Sequence, residues 1–297
     1  MNDAELPITG YLDRFSHRPG ETFTAHVSLR DPGRYRVRLV RVISGDPNPT
    51  GPRLQFQDLS DRLDRTHDGA RQPIALGSCA TVPRTPSRNP RAAATWTALV
   101  RPGTEADGQA VIAEYDDRSS LVLLVGGSGT RADLRGPSGT TTVTAAAPMH
   151  VGHWYRVWVS ADPDSGSVLV GHQALDGSPA TTATTRAPNL VLPAGGQLLL
   201  AARDPGTPDG HFTLTGHFTG KLEDPTILHG FVPNWSDARD PTEITRARLI
   251  ASWDFSREMS SQTIIDVGPD GCHGHLVNLP ARAMAGARWS GTEMCWR

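Results

Sequence analysis

From Thr95 to Leu228 the sequence repeats one grammar: a short run of apolar or alternating residues, then a break at glycine, aspartate or proline. The runs read TWTALVR, QAVIAEYD, SLVLLVGG, GTRADLRG, WYRVWVSAD, GSVLVGHQA, GQLLLAAR and HFTGKLEDPTIL. Successive side chains of a strand face opposite ways, so alternation marks a strand with one buried face. No long apolar stripe at helical spacing competes with this pattern. Many short strands punctuated by turns predict an all-β sandwich or jelly roll. Hydrophobic side chains are 37% of the 297 residues, enough for a core, while 30 glycines and 24 prolines require abundant loops.

Texture divides the rest. In residues 1–75, ETFTAHVSL and RYRVRLVRVIS flank a turn at Asp31-Pro32-Gly33. Two alternating runs around a short turn predict a hairpin, with the arginines of the second run toward solvent. SGDPNPTGPR then leaves the sheet, because proline lacks the N–H that a ladder needs. Residues 76–233 hold the repeated runs, and ALDGSPATTATTRAPN among them reads as an exposed loop or irregular edge. Residues 234–297 open on DPTEITRARLI, where Asp240 as N-cap, Pro241 at the first helical position and Glu243 three residues after the cap predict a helix. IASWDFS reads as a strand, and DVGPDGCHGHLVN as a turn entering another. The last residues carry Trp289, Met294 and Trp296 with no stop signal, which suggests a domain that continues and an apolar surface prone to association.

The formal net charge is −2, and the basic residues, all arginine except Lys221, are scattered among acids. No basic stripe of the kind phosphate binding needs is present, so no nucleic-acid partner is expected. Cys79, Cys272 and Cys295 fit no zinc spacing, and a sparse, odd count suits a reducing compartment. The N-terminal residues lack a signal-peptide core, and no run approaches the ~20 apolar residues of a membrane helix. The expectation is a cytoplasmic protein with no membrane partner.

Three stretches in order, TWTALVRP, HWYRVWVSADPDSGSVLVGHQALDG and FTGKLEDPTIL, resemble a laminin-G-like, concanavalin A-like sandwich. The flanks GYLDRFSHRPGETFTAHVS with YRVRLVRVISGDPNPTGP, and ASWDFSREMSSQTIIDVGPDGCHGHLVNLPARAMAGARWSG, resemble the N-terminal part of the large (beta) subunit of bacterial N,N-dimethylformamidase and the stretch after its sandwich. The resemblance implies a small Ig-like β region at 1–75, the sandwich at 76–233 and a C-terminal β-rich segment at 234–297. It also implies hydrolysis of a small linear amide at mononuclear iron. The family's Tyr/Tyr/Glu iron site lies beyond the equivalent of Arg297, so no site residue carries over and no cofactor is expected in this chain. The implied role is packing, assembly or substrate access. The implied partner is the remainder of the large subunit or a separate catalytic chain, in an oligomer.

Strand alternation puts Trp154, Arg156 and Trp158 on one face and Tyr155, Val157 and Val159 on the other, one packing in the sandwich and one against a further layer or solvent. DPDSG, residues 162–166, reads as the hairpin turn. A binding-module reading, in which the sandwich recognises a carbohydrate or a protein, stands beside this. Concanavalin-type folds hold sugars at the sheet rim, where Trp96 or Trp154 would stack on a ring and Asp162, Asp164 and Asp176 would hold hydroxyls or calcium. Cys272, His273 and His275 are the most metal-like string, but strand spacing turns Cys272 away from the two histidines. Their motif also resembles the glycine-rich turn by which laminin-G-like domains enter a strand. Gly77-Ser78-Cys79 has no local base to activate a nucleophile. Glu114 and Asp116 imitate a glycosidase pair, yet Asp117, Arg118 and Ser119 read as a solvated hairpin tip. No E-x-D-x-x-E-like string supports a glycosidase, and GGSGTRADLRG lacks the lysine and helix of a phosphate loop.

Overall fold

A computed structural model of the chain describes residues 6–13, 17–62, 65–72, 76–204, 214–235, 248–282 and 286–287. Nearly all of them lie in strands and connecting turns. The chain divides into two compact units, residues 1–75 and 76–297.

The first unit holds β1 (Ile8–Leu12), β2 (Ala25–Leu29), β3 (Gly33–Val37), β4 (Val40–Gly45), β5 (Leu54–Asp58) and β6 (Arg65–Gly69) in three two-stranded antiparallel ladders, β1-β2, β3-β6 and β4-β5. The hairpin expected across Asp31–Gly33 does not form. β2 pairs with β1 and β3 with β6, so the turn carries the chain from one ladder to another. A tight turn fixes a reversal, not which partner each strand takes. RYRVRLVRVIS is also two strands, broken at Arg38 and Leu39. Its alternation holds: Tyr35, Val37 and Leu39 are half-buried, while Arg34, Arg36 and Arg38 are exposed.

The second unit contains β7 (Cys79–Val82), β8 (Ala94–Pro102), β9 (Gln109–Tyr115), β10 (Ser120–Gly126), β11 (Gly129–Gly136), β12 (Gly139–Ala145), β13 (Tyr155–Asp162), β14 (Ser167–Ala174), β15 (Thr181–Arg186), β16 (Gln197–Leu200), β17 (Gly220–His229), β18 (Leu249–Asp254), β19 (Thr263–Asp266) and β20 (Gly274–Val277). They hydrogen-bond in the order β12-β11-β10-β9-β16-β7-β20-β19-β18-β17-β8-β13-β14-β15. Every pairing is antiparallel. The ribbon folds over at the β18–β19 ladder, and β11 and β12 come to lie against β14 and β15. This is the expected all-β sandwich, built of antiparallel strands.

Each predicted run in 94–228 contains a strand. β7, β12, β15 and β19 are additions. The Thr- and Ala-rich stretch read as a loop or irregular edge is in part an edge strand, β15, whose residues alternate half-buried and exposed. Residues set apart after 233 supply β18, β19 and β20 to the same sheets. The helix expected from Asp240, with Pro241 and Glu243, falls almost wholly outside the described residues, as do Trp289, Met294, Cys295 and Trp296. Pro225 inside β17 sits at a register shift between Glu223 and Thr226, with Asp224 at φ 48°, so the missing N–H falls where the ladder is already interrupted.

The main core lies between the sheets and includes Trp253, Val100, Val111, Leu121, Leu123 and Leu198. The inner face of β13 is Tyr155, Val157 and Val159, as alternation requires. Its outer face is covered too. Trp158 packs with Leu169, Leu228, Val232 and Trp235, and the segment carrying Val232 is tied down by the Thr95 and Ser160 hydroxyls.

Candidate functional site

The most concentrated polar chemistry lies inside the sandwich. Glu114 sits on β9 between β10 and β16 and is fully buried. Its carboxylate accepts from the Thr85 hydroxyl at 2.6 Å, from Arg88 Nη1 at 3.0 Å and Nη2 at 2.8 Å, and from Trp96 Nε1 at 2.7 Å. Trp96 is on β8 of the facing sheet, so this bond spans the layer between the sheets. Arg88 also donates to the Pro193 carbonyl and lies over the Trp96 ring, 5.2 Å from its centroid. A buried carboxylate is tolerated only when paired and hydrogen-bonded, and here both oxygens are fully used. The reading of Glu114 and Asp116 as parts of one solvated turn is therefore corrected for Glu114. It stands for Asp116, which accepts from the backbone N–H groups of Arg118, Ser119 and Ala194. Those donors outweigh the opposing burial and hold its carboxyl below the usual range. The signal for Glu114 was its place in an apolar run, but its partner Arg88 lies in a proline-rich stretch far from it in sequence.

Trp96 is 0% exposed, so it offers no ring face to a sugar. Trp154 is half-buried just before β13, and its carbonyl accepts from Leu175 N. That contact brings it to the turn after β14 that carries Asp176. Asp176 is exposed; the Ser178 hydroxyl and N–H, with His153 nearby, hold its carboxyl below the usual range. Asp162 and exposed Asp164 lie in the turn at the other end of β14. Eight residues at ~3.4 Å each separate those ends by roughly 25 Å, so the three aspartates cannot share one ligand. Asp162 closes its own turn, accepting from Asp164 N at 3.1 Å and the Ser165 hydroxyl at 2.7 Å. The five candidate ligand residues thus separate into one buried tryptophan, a rim pair Trp154 and Asp176, and a distant turn.

Cys272, His273 and His275 do not converge. Cys272 and His273 precede β20, and His273 Nδ1 accepts from Asp266 N at 3.1 Å. Among the described residues no group of three His, Cys, Asp or Glu side chains comes together to hold a metal. The organiser of this turn is Asp266, 3% exposed, which accepts from Ser252 N, Gly268 N and Cys272 N, each at 2.8 Å. Sequence reading missed it, though an aspartate before a Gly-Pro-Asp-Gly turn is a fair signal. Cys79 lies on β7; it is 2% exposed, and burial pushes its thiol up, away from nucleophilic character. A cleft of about 340 Å³ lies between Met259, Gln262, Leu276, Leu279 and Arg282. Its cation is already spent on the carbonyls of Arg257, Glu258 and Thr263.

No family model matches the chain. Over 97% of its length it is 27% identical to the N,N-dimethylformamidase beta subunit of Paracoccus aminophilus and 26% identical to that of an Alcaligenes species. The chain spans 41% of the length of each of these relatives. Among solved structures, the LG4-5 domains of the mouse laminin alpha1 chain match at a TM-score of 0.38 and 15% identity, over 55% of this chain and 42% of that one. A SAP-like pentraxin from Limulus polyphemus matches at 0.39 and 16%, over 54% of this chain and 73% of that one. The chain is similar to the dimethylformamidase beta subunit along nearly its whole length.

Proposed function

We propose that these residues are the non-catalytic, β-rich portion of a large amidohydrolase subunit related to N,N-dimethylformamidase. In this reading the whole protein hydrolyses a small linear amide to an amine and a carboxylate, and the iron that activates the reaction is held by residues outside this chain. The sandwich supplies packing surface for the rest of the subunit or for a separate catalytic chain. The observation that carries the reading is the fate of four carboxylates, two of them in the strand and turn that imitate a catalytic pair. Glu114, Asp116, Asp162 and Asp266 each spend their oxygens on backbone N–H groups or structural side chains. A general acid, base or metal ligand needs a free oxygen at a cleft. The similarity over 97% of the chain to a dimethylformamidase subunit supports the family side of the proposal.

Iron loading tests it. The purified chain is incubated with ferrous or ferric iron, desalted and analysed for metal. The expected result is a trace, far below stoichiometric, and unchanged in Cys272→Ser/His273→Ala/His275→Ala. Stoichiometric iron that survives those substitutions would overturn the assignment of the site to residues elsewhere.

A second reading has its own observation, the meeting of Trp154, His153 and Asp176 on one rim. As a binding module, the chain would hold a neutral sugar there, with the indole as platform. Retention on polysaccharide columns, lost in Trp154→Ala, is the expected sign; no retention across a broad glycan panel removes it.

A further inference from the structure

The hydrogen-bonded order ends at β15, and among the described residues nothing pairs with its outer edge. Its register with β14 runs without a bulge from Ser167↔Arg186 to His172↔Thr181. Ala187 N donates to Gly166 O at 2.8 Å in the same register, which makes that a hydrogen-bonded pair. Such pairs alternate along an antiparallel ladder. Thr185, Ala183 and Thr181 therefore bond to β14, and Thr182, Thr184 and Arg186 turn their N–H and C=O groups outward. The same three residues are exposed, while their neighbours are half-buried.

Natural sheets blunt an edge of this kind with proline, inward charge, lysine or a bulge. Here Pro179 and Pro188 bracket the strand but none lies within it, and the sequence TTATTR is rich in β-branched threonine. The single charge, Arg186, stands at one end.

We infer that β15 is an assembly edge, pairing antiparallel with β15 of a second copy of this chain about a two-fold axis at Thr184. That register uses every outward group: Thr184 faces Thr184, and Thr182 faces Arg186 of the other copy. Three hydrogen-bonded pairs exchange about six backbone bonds. No like charges meet, because the two Arg186 side chains lie roughly 14 Å apart along the ladder, beyond the ~8 Å screening length. The other terminal strand, β12, lies against β15. A two-fold contact is isologous, so one strand serves both sides.

The test is sedimentation velocity of the full chain across a concentration series, with near-UV circular dichroism as the check on folding. Thr184→Pro removes an outward N–H and leaves the β14 ladder intact. Each copy loses one donor and the dimer two, for an association weaker by at least about tenfold. Thr182→Lys/Thr184→Lys keeps the backbone and sets two added charges on each edge, and it too is expected to sediment as a monomer. A wild-type chain that stays monomeric overturns the proposal, including one that instead captures an extended peptide. So does a dimer that both variants leave unchanged.

Discussion

Replacing Arg88 by methionine tests whether the Glu114 cluster is a buried ion pair that locks the two sheets. The side chains of Arg88 and Glu114 are 4% and 0% exposed. Methionine keeps most of the volume and removes the charge. Glu114 would retain the Thr85 hydroxyl and the Trp96 N–H and lose both guanidinium bonds. Breaking one side of a buried pair costs about 3–5 kcal/mol. Two surviving donors place the expected loss near the lower end, and the lost bond to the Pro193 carbonyl adds about 1 kcal/mol. The total is about 4 kcal/mol. Urea unfolding followed by tryptophan fluorescence reads the second unit alone, because every tryptophan lies within residues 76–297. Adding Glu114→Gln to Arg88→Met removes the stranded charge, and the double variant is expected to recover about 2 kcal/mol relative to additivity. A loss below about 1 kcal/mol for Arg88→Met, or strict additivity in the cycle, would refute the reasoning.

Three further outcomes follow from the same structure. Burial holds the His172 imidazole below its ordinary pKa, so its contribution to stability is present above the unfolded value of about 6.5 and is lost as pH falls through the folded value. The stability advantage of wild type over His172→Gln should be larger at about pH 7.5 than at about pH 5, and an advantage independent of pH would contradict this. Gly171→Ala would place a Cβ 2.5 Å from Trp158 Cζ2, against an indole fixed by Trp235; a loss of about 2–3 kcal/mol in urea unfolding is expected, and a neutral effect would show that the Trp158 layer yields. In a Cys295→Ser background, Cys79 should react with a disulfide reagent only on unfolding, so burst labelling of Cys79 in the native chain, located by peptide mapping, would contradict its burial.

Much of the sandwich was legible because alternation is a local signal. The two faces of WYRVWVSAD separate as read, Tyr155 and Val157 inward and Trp158 outward. What covers Trp158 was not legible, since Val232 and Trp235 come from a segment far along the chain. β15 was hidden by its threonines, which satisfy both loop and edge-strand composition. The hairpin around Asp31–Gly33 failed because turn chemistry is local and strand pairing is not. Glu114 shows the same limit at the level of a site. Its neighbours Asp116 to Ser119 do form a turn, but its burial is decided by Arg88, Thr85 and Trp96, which only the closed sandwich brings together.

The central claim is that these residues carry none of the amide chemistry themselves. The most direct measurement is dimethylamine release from N,N-dimethylformamide by the purified, iron-supplemented chain, followed over days against a buffer blank. The account predicts a rate indistinguishable from the blank. Sustained turnover that scales with chain concentration and falls on substitution of any residue within these 297 would contradict it.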